Sequence, residues 1–597
     1  MTGWEPVAGQ LITRWGAEVN PENAWQEYPR PQLRRSEWHN LNGLWDYAIA
    51  PVKMEMVLAY TGQILVPFPL ESALSGVKRA LQPDERLWYR RHFSLPDDWT
   101  GQRILLHIGA CDWQASAWLN GNWLGMHQGG YLPFQFELTR YLQAGENELI
   151  LAVWDPTDTH WQARGKQVLQ PKGIWYTAVS GIWQTVWLEA VPETYLVGLK
   201  INPELDSNSV LVHAQLDGPE AESLLVRVQV LDHDRPVVSG EALPGQALRL
   251  AIPNPRSWSP DDPYLYDLVV EVGNDRVESY FGLRKFSLGN DSQGRAHLCL
   301  NNQPLFQYGP LDQGYWPDGL YTPPSEAAMR FDLEQIKALG CNMLRKHVKV
   351  EPARYYYDCD RLGLIVWQDM PNGAKPVGDL PSLWANLFGA RRKDHNYRRA
   401  GRDDPDARQD FRRELQELVE ALHNFACIGM WVPFNEGWGQ FDARETAEWL
   451  SDYDPTRPVD HVSGWYDQGG GHCKSLHVYF KALPVIKPEA KRAVVLSEFG
   501  GYALKLDEHV WNPKAEFGYR KYATREALTE AYLELLENQL KPWIAAGLSA
   551  AIYTQTTDVE IEVNGYLTYD RAVEKMDFVR VRDAHEGLID LAAKTKI

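Results

Sequence analysis

The sequence predicts three domains, two β-sandwiches followed by a (β/α)8 barrel, and three observations support this architecture. At 597 residues, the chain is far longer than the roughly 250–300 residues that one hydrophobic core supports. Up to Leu288, short apolar or alternating runs are separated by turn residues, with no helical patterns between them. After Gly289, apolar runs alternate with amphipathic helical segments, which is typical of an α/β domain.

The two sandwiches are predicted over residues 1–192 and 193–288. Strand-like runs of the first sandwich include Leu87–Phe93, Ile104–Ile108 and Glu148–Trp154. Asn120-Gly121 is a hairpin signal within it, because both residues adopt positive φ readily. The second region repeats the pattern over a shorter stretch, and its size and strand spacing indicate an immunoglobulin-like sandwich.

The barrel is predicted over residues 289–597. Its eight strand candidates are Leu305–Tyr308, Asn342–Arg345, Leu364–Asp369, Ile428–Phe434, Val459–Val462, Leu476–Tyr479, Val494–Leu496 and Ala550–Tyr553. Helical patterns separate most of them, and the first pattern has Ser325 as a suitable N-cap and Gly340 as a suitable stop. In such barrels the chemistry lies at the C-terminal ends of the strands.

Composition and charge exclude several classes of binding partner. A formal net charge of -19 and a pI near 5.4 would repel a phosphate backbone, so we expect no nucleic acid partner. No run reaches the roughly 18 apolar residues that cross a bilayer, and Met1–Pro6 lacks a basic region followed by an apolar one, so we expect no membrane partner and a cytoplasmic location. The six cysteines are scattered without a C-x-x-C pair, which indicates buried thiols. We expect no structural metal of that kind and no cofactor, since no phosphate or dinucleotide motif is present.

Two glutamates end apolar strands of the predicted barrel. Glu436 follows the fourth strand candidate and Asn435, and Glu498 follows the seventh. One half of a buried salt bridge would explain either glutamate alone about equally well. Two of them at one barrel mouth favour catalysis, because glycoside hydrolysis needs one protonated carboxyl group and one carboxylate.

A series of short motifs runs through nearly the whole chain. In order they are Leu41–Trp45, Trp88–Phe93, Ser180–Trp187, Trp258–Tyr266, Phe281–Arg284, Asn301–Leu305, Asn435–Glu436 and Ser497–Gly500. Each motif is weak alone, but their order and spacing are specific, and they resemble those of glycoside hydrolase family 2, which includes β-galactosidases, β-glucuronidases and β-mannosidases. The resemblance implies a sugar-binding jelly-roll domain, an immunoglobulin-like domain and a catalytic TIM barrel.

The resemblance also implies roles for five residues. Glu436 matches the family's acid/base and Glu498 its nucleophile, with retention of anomeric configuration. Arg345 and Tyr479 match residues that hydrogen-bond the nucleophile, and Asn435 matches the residue that binds the sugar 2-hydroxyl. Without the resemblance, an ordinary surface ion pair and a core tyrosine would be the preferred interpretations of Arg345 and Tyr479. For Asn435, a cap for the following turn is the less favoured alternative. The acid/base is expected to have a pKa raised by burial and by the neighbouring anion.

Six further residues lie at or just beyond other predicted strand ends. They are His347, His477, Asp312, Trp465, Tyr553 and Asp558. Each is a candidate for binding the remaining sugar hydroxyls, and hydrogen-bonded packing at the barrel rim is an equally good interpretation.

The chain also departs from well-known members of the family. After the first barrel strand, the family's β-galactosidases have a stretch resembling Asn-Arg-His-Glu, whereas this chain has Pro310–Trp316. The magnesium ligands of those enzymes therefore cannot be assigned here, and no metal residue is predicted. Asn564–Tyr566 lacks the lysine of the clamp that glucuronidase-like members carry, which weakens a uronic-acid substrate. The basic residues at Arg391–Lys393 and Arg398–Arg399 suit an anionic sugar or a second subunit of a homo-oligomer, although a charge run is usually a solvated face.

These observations predict a retaining exo-β-glycosidase, β-galactosidase-like, acting on a terminal non-reducing sugar of a carbohydrate substrate. β-Mannosidase, β-glucuronidase and arabinosidase activities stay open within the family. A non-catalytic carbohydrate-binding protein is the alternative from another class. Two hypotheses concern the first sandwich: it binds sugar itself, or its loop Asp155–Val179, which carries Trp161 and Trp175, reaches across and shapes the barrel mouth.

Overall fold

The computed structural model describes residues 4–8, 11–375, 393–479, 482–483 and 487–594. Two β-sandwiches precede a curled parallel sheet surrounded by helices, so the predicted architecture is confirmed. Arg391 and Arg392, two members of the predicted basic cluster, lie outside the described residues, whereas Lys393, Arg398 and Arg399 are exposed. Within the described residues, no helix has the length and apolar character of a membrane span.

The first sandwich consists of a six-stranded and a four-stranded antiparallel sheet, ordered β3-β2-β4-β10-β7-β8 and β1-β14-β5-β9, with short two-stranded additions. Its strands are β1 Trp38–Asn40, β2 Gly43–Pro51, β3 Gly62–Val66, β4 Glu85–Ser94, β5 Arg103–Ile108, β6 Cys111–Asp112, β7 Gln114–Leu119, β8 Asn122–Gln128, β9 Phe134–Glu137, β10 Glu146–Trp154, β11 Gln167–Val168, β12 Tyr176–Thr177, β13 Gly181–Ile182 and β14 Val186–Val191. Side chains alternate between partly buried and buried along β7, as the two faces of a sheet with one core face require.

The second sandwich packs a three-stranded sheet, β15-β16-β19, against a four-stranded sheet, β18-β17-β20-β21. Its strands are β15 Tyr195–Glu204, β16 Ser209–Asp217, β17 Val226–Asp232, β18 Arg235–Ala242, β19 Leu248–Ala251, β20 Tyr266–Val272 and β21 Asp275–Phe281. Valines and leucines on the inner faces form a separate hydrophobic core, as expected for a domain of its own. A small sheet of β22 Phe286–Asn290, β23 Ala296–Leu300 and β24 Gln303–Pro304 follows.

Six of the seven barrel strands are buried along their whole length, and the other, Cys473–Val478, is only partly buried. The seven strands are β25 Gln307–Asp312, β26 Met343–Lys346, β27 Ile365–Asp369, β28 Ile428–Val432, β29 Cys473–Val478, β30 Ala493–Gly500 and β33 Leu548–Thr554, and a short pair, β31 Tyr502–Ala503 and β32 Arg520–Lys521, lies beside them. The seven-stranded parallel sheet has the order β28-β27-β26-β25-β33-β30-β29. Parallel strands that are covered on both faces have continuous apolar sequences. This is why the sequence predicted the positions of these strands.

The fifth predicted strand departs from a regular ladder. Residues 459–463 meet β28 through two isolated parallel bridges, Trp431↔Val459 and Asn435↔Ser463. On the other side, His472 N donates to Val459 O at 2.7 Å, just before β29. The segment therefore occupies the gap between β28 and β29 without forming a full strand.

Seven α-helices cover the described part of the barrel or follow it. They are α1 Glu326–Ala338, α2 Ala353–Leu362, α3 Pro405–Leu422, α4 Ala443–Tyr453, α5 Arg525–Leu535, α6 Lys541–Ala545 and α7 Phe578–Lys594. Short 3-10 helices are Gly16–Glu18, Pro31–Leu33, Asp97–Trp99, Thr139–Tyr141, Leu205–Ser207, Tyr397–Ala400 and Asp507–His509. Ser325 caps α1 as predicted, since its side chain accepts from Ala328 N.

One predicted helix is interrupted. The pattern over Arg525–Leu540 predicted a single helix, but α5 ends at Leu535 and Leu536–Leu540 form a π-helix before α6. Pro542 explains the change, because proline has no N–H to donate and its ring clashes with the preceding turn of a regular α-helix. All six cysteines are buried free thiols, as predicted.

Close backbone contact between the first two barrel strands gives a test of the packing. A Cβ on Gly309 would lie 1.7 Å from Met343 O, which no side-chain rotation relieves. We expect Gly309→Ala to destabilise the protein by about 1–3 kcal/mol or more through overpacking, measured by thermal denaturation. Gly587→Ala is the matched control, since no atom lies within 4 Å of its Cβ and α7 gains helix propensity. Equal melting temperatures for the two variants would contradict this packing.

Candidate active site

Glu436 and Glu498 meet at the C-terminal ends of the barrel strands. Glu498 lies within β30, and Glu436 follows β28 by four residues. The two residues are 6% and 4% exposed. One oxygen of each carboxyl group lies within 4.8 Å of the other and of a His477 ring nitrogen. This limit on the separation of the nearest oxygens agrees better with the spacing of about 5–5.5 Å in retaining glycosidases than with the about 6.5–9.5 Å of inverting enzymes.

The backbone at Glu436 is held in an unusual conformation. Its φ is 48°, in the left-handed region that non-glycine residues seldom occupy. The amide of Glu436 donates to Ser463 O at 2.9 Å, and the amide of Ser463 donates to Phe434 O at the same distance. The two hydrogen bonds with Ser463 therefore hold the backbone of Glu436 in this conformation and set the direction of its side chain. A strained conformation at a functional site persists only when its surroundings hold it in this way.

Arg345 connects four barrel strands from the bottom of the site. It is completely buried, and its Nε and Nη2 donate to the two carboxylate oxygens of Asp369, each at 2.9 Å. Nη1 donates to Ser497 O at 3.1 Å and to Glu498 Oε1 at 3.0 Å, and Nη2 also donates to Asn435 Oδ1 at 2.8 Å. All five guanidinium N–H groups therefore have acceptors.

The surroundings of Glu498 favour its ionised form. Burial alone would raise the pKa of Glu498, but electrostatic interactions with His477 and Arg345 lower it below its usual value. The Tyr479 hydroxyl donates to Glu498 Oε2 and lowers the pKa further. Tyr479 is itself fixed by Thr554 Oγ1 at 3.0 Å and by stacking on Tyr519. A buried carboxylate with these donors is suited to act as a nucleophile.

The surroundings of Glu436 favour its protonated form. Burial raises the pKa of Glu436, and the neighbouring negative charge of Glu498 raises it further, while His477 partly opposes both effects. His477 Nδ1 lies 2.8 Å from Glu436 Oε1 and 3.5 Å from Glu498 Oε2. Its other nitrogen, Nε2, lies 2.9 Å from Ser463 Oγ, which orients the ring. One acid and one anion thus lie on either side of a single imidazole.

Asn435 presents a free donor to the cleft. Its Oδ1 accepts from Arg345, which fixes the amide plane. Its Nδ2 is buried and has no hydrogen-bond partner. A buried donor without a partner is costly unless a ligand supplies an acceptor, so this group is placed to bind a substrate oxygen.

Two other predicted residues border this group. His347 Nδ1 lies 3.0 Å from Asp369 Oδ2, and burial lowers the pKa of His347 well below its ordinary value, so the ring is neutral. Trp465 is half-buried and its ring centre lies 6.3 Å from that of His477, edge to face. Both side chains are in position to form a wall of the cleft.

Three predicted residues have other partners in the structure. Asp312 accepts from Lys346 Nζ and from the Tyr355 hydroxyl, each at 2.6 Å. The Tyr553 hydroxyl accepts from Tyr502 N in an aromatic core. Asp558 accepts from Lys575 Nζ and Gly565 N. No bond recorded among the described residues joins any of the three to Glu436 or Glu498, because buried donors closer to them satisfy their oxygens.

The sequence interpretation missed three contributors. Asp369 ends the apolar strand β27, the same signal that identified the two glutamates, and that signal could have found it. Trp438, two residues after Glu436, packs against Trp175 of the first sandwich, with ring centres 4.9 Å apart and ring planes tilted by 44°. Lys166, also from that sandwich, affects Glu436 electrostatically, and no sequence pattern indicated it.

The loop Asp155–Val179 reaches the barrel mouth, which confirms the second hypothesis about the first sandwich. Ala163 forms an antiparallel bridge with Gly373, just after β27. The amides of Arg164 and Gly165 both donate to Asn372 O, at 2.9 and 3.0 Å. Farther along the loop, the Tyr176 hydroxyl donates to Glu562 and Thr177 N donates to Glu560 after β33. The sandwich therefore contributes one wall of the cleft.

Metal binding is the other chemistry that this geometry permits. Glu436, His477 and Glu498 have ligand atoms close enough to share an ion, and so do His395, Asp442 and Glu445. In the first group, a raised pKa at Glu436 favours a proton over a metal on that carboxyl group. The unequal pKa values of two adjacent carboxyl groups are those expected for acid and nucleophile roles.

Comparison with protein families covers most of the chain. Residues 60–192 match the family model described as the sugar binding domain of glycosyl hydrolases family 2. Residues 194–284 match a second model of glycosyl hydrolases family 2. Residues 324–547 match the TIM barrel domain of the same family. The three models follow one another in the order of the three domains described above.

Individual relatives are more distant. A β-galactosidase of Thermoanaerobacter pseudethanolicus is 25% identical over 401 residues, which cover 63% of this chain and 48% of the relative. A β-galactosidase of Vibrio cholerae is 29% identical over 407 residues, covering 63% and 36%. The chain thus spans less than half of these curated relatives. A β-glucuronidase structure from Ruminococcus gnavus shares the fold with a TM-score of 0.74 at 16% identity, covering 94% of this chain and 99% of the other.

The buried guanidinium predicts a large stability effect. Arg345→Met would leave Asp369 and Glu498 buried without their counter-charge, which is expected to cost about 3–5 kcal/mol. Chemical denaturation of the full chain would measure this loss. Arg227→Met is the matched control, because the Arg227 side chain is 63% exposed in its pair with Glu241 and its removal should change stability little. Equal losses for the two variants would contradict the role of Arg345.

Proposed function

The chain belongs to glycosyl hydrolase family 2, and from this premise we propose that it is a retaining exo-β-glycosidase. It removes a terminal non-reducing sugar from a carbohydrate substrate. The observation that carries the proposal is the pair of buried carboxyl groups within 4.8 Å, one with a raised and one with a lowered pKa. Double displacement needs this combination of spacing and protonation.

The first step of the proposed reaction forms a glycosyl-enzyme. Glu436 donates its proton to the glycosidic oxygen while a Glu498 oxygen attacks the anomeric carbon. The bond from the anomeric carbon to the leaving group breaks, and an ester to Glu498 forms on the opposite face. Arg345, Tyr479 and His477 hold Glu498 for this attack. Asn435 Nδ2 supplies a donor for the 2-hydroxyl.

The second step returns the enzyme to its starting state. Glu436, now a carboxylate, takes a proton from a water molecule that attacks the anomeric carbon from the side that the leaving group vacated. The ester bond breaks and Glu498 regains its charge. Two inversions give a product with the anomeric configuration of the substrate.

A β-galactoside is the leading substrate in this proposal, because the curated relatives are β-galactosidases. β-Glucuronide, β-mannoside and arabinoside substrates are the alternatives. A panel of aryl glycosides of both anomeric configurations identifies the sugar, and NMR of the first product identifies its anomer. Binding of glycosides without release of the aglycone across the panel would favour the rival, a non-catalytic carbohydrate-binding protein.

Substitution of the two glutamates separates their roles. Glu498→Ala should reduce turnover of aryl β-glycosides to background, because no covalent intermediate forms. Glu436→Gln should lower kcat about 10²–10⁴-fold on substrates with poor leaving groups. Dinitrophenyl glycosides need no protonation, so Glu436→Gln should release one equivalent of dinitrophenolate in a burst before a slow steady state. Wild-type turnover by Glu498→Ala, or an inverted first product, would exclude the mechanism.

The pH dependence of kcat/KM follows from the two pKa shifts. Glu498 must be ionised, so activity is lost as pH falls through its pKa, which lies below the ordinary value of 4.5. Glu436 must be protonated, so activity is lost as pH rises through its pKa, which lies above 4.5. We expect a bell-shaped profile, whose basic limb disappears in Glu436→Gln. A basic limb unchanged in that variant would assign the limb to another group.

A further inference from the structure

Lys166 is a buried lysine that the proposed mechanism does not use. It lies in the loop Asp155–Val179 of the first sandwich and is only 5% exposed. Among the described residues, its ammonium group has no hydrogen bond or ion pair, and the centre of the Tyr176 ring lies 5.2 Å from Nζ. Nζ is not itself fully buried, so most of the side chain is covered while the ammonium group stays accessible to a ligand. An accessible cation without an acceptor is available to bind a polar group.

The backbone around Lys166 is fixed against the barrel. A Cβ on Gly165 would lie 2.6 Å from Val348 O, the residue after His347, so this part of the loop is in close contact with the end of the second barrel strand. Gln167 donates to Asp112 Oδ2 at 2.9 Å and accepts from Val179 N at 2.6 Å. Lys166 O accepts from Tyr176 N at 2.9 Å. The direction of the Lys166 side chain is therefore set by neighbours on both sides.

The positive charge of Lys166 affects the pKa values of two residues of the site, Glu436 and His347. Burial is the largest effect on the pKa of Glu436 and raises it, whereas Lys166 is among the groups that lower it. For His347, burial lowers the pKa most, and Lys166 is the next cause. These effects agree with the backbone contacts above, which place Lys166 beside the residues that follow the second barrel strand.

We propose that Lys166 is a substrate-binding residue, supplied by the first sandwich, whose ammonium group donates to an oxygen of the glycoside bound between Glu436 and Glu498. The acceptor is a hydroxyl group of a neutral sugar or a carboxylate of a uronic acid, which share the same contact. This inference rests on the proposed glycosidase function. It assigns part of substrate recognition to a domain other than the barrel.

Steady-state kinetics of the full chain tests the proposal with aryl β-galactoside and aryl β-glucuronide as probes. Lys166→Met should raise KM or lower kcat/KM about 10-fold or more on the substrate that wild type turns over, because hydrogen bonds to charged groups are the stronger ones. Lys166→Arg retains the charge and should restore part of the loss. Lys172→Met is the matched control, since Lys172 is exposed in the same loop.

Two further measurements separate binding from a structural role. The melting temperature of Lys166→Met should match that of Lys172→Met, because no recorded bond is lost. The basic limb of its pH profile should move to higher pH, since the pKa of Glu436 rises when a nearby positive charge is removed. If Lys166 binds the carboxylate of a uronic acid, Lys166→Met should lose activity only on the glucuronide. If Lys166 binds a hydroxyl group, the variant should lose activity on the galactoside.

Kinetic parameters of Lys166→Met equal to those of Lys172→Met on both probes would overturn the inference while leaving the glycosidase proposal intact. Absence of turnover by wild type across the aryl-glycoside panel would instead overturn the glycosidase proposal. Loss of activity together with a lowered melting temperature, with no recovery in Lys166→Arg, would assign Lys166 to folding and also overturn the inference.

Discussion

The five-donor arrangement of Arg345 is the constraint on which the rest of the site depends. A guanidinium group buried beneath a barrel mouth is stable only if every N–H finds an acceptor, and the acceptors come from Asp369, Asn435, Ser497 and Glu498. These residues belong to three different strands or to the turns that follow them. Satisfying one side chain therefore sets the relative positions of the strand ends that carry the chemistry.

Unequal protonation of Glu436 and Glu498 follows from that arrangement. Both carboxyl groups are buried, so burial alone would raise both pKa values. Only Glu498 contacts the guanidinium group and the Tyr479 hydroxyl, and its charge then acts on Glu436. The difference between two chemically identical side chains is thus a consequence of which carboxyl group contacts Arg345.

Patterns of hydrophobicity predicted the three-domain architecture and the eight barrel segments, since buried parallel strands and amphipathic helices leave clear periodic signals. They could not predict that residues 459–463 form isolated bridges or that Pro542 follows a π-helix, because both depend on hydrogen-bond geometry. The two glutamates and the family were accessible from the sequence. The sequence places three other polar residues at or just beyond strand ends, as it does Glu498. Only the structure reveals that each already has a hydrogen-bond partner, Asp312 with Lys346, Tyr553 with Tyr502 and Asp558 with Lys575. The sequence could not predict that Lys166 lies near the site, because its loop has no periodic pattern and its neighbours in the barrel are remote in sequence.

The contact of Trp175 with Trp438 and the paired amides on Asn372 join the N-terminal sandwich to the barrel mouth. A barrel transferred by recombination onto a different N-terminal module would keep Glu436, Glu498 and Arg345 but lose one side of its cleft. Substitutions in the sandwich loop could therefore change the selectivity of the cleft without altering the residues proposed to break the bond.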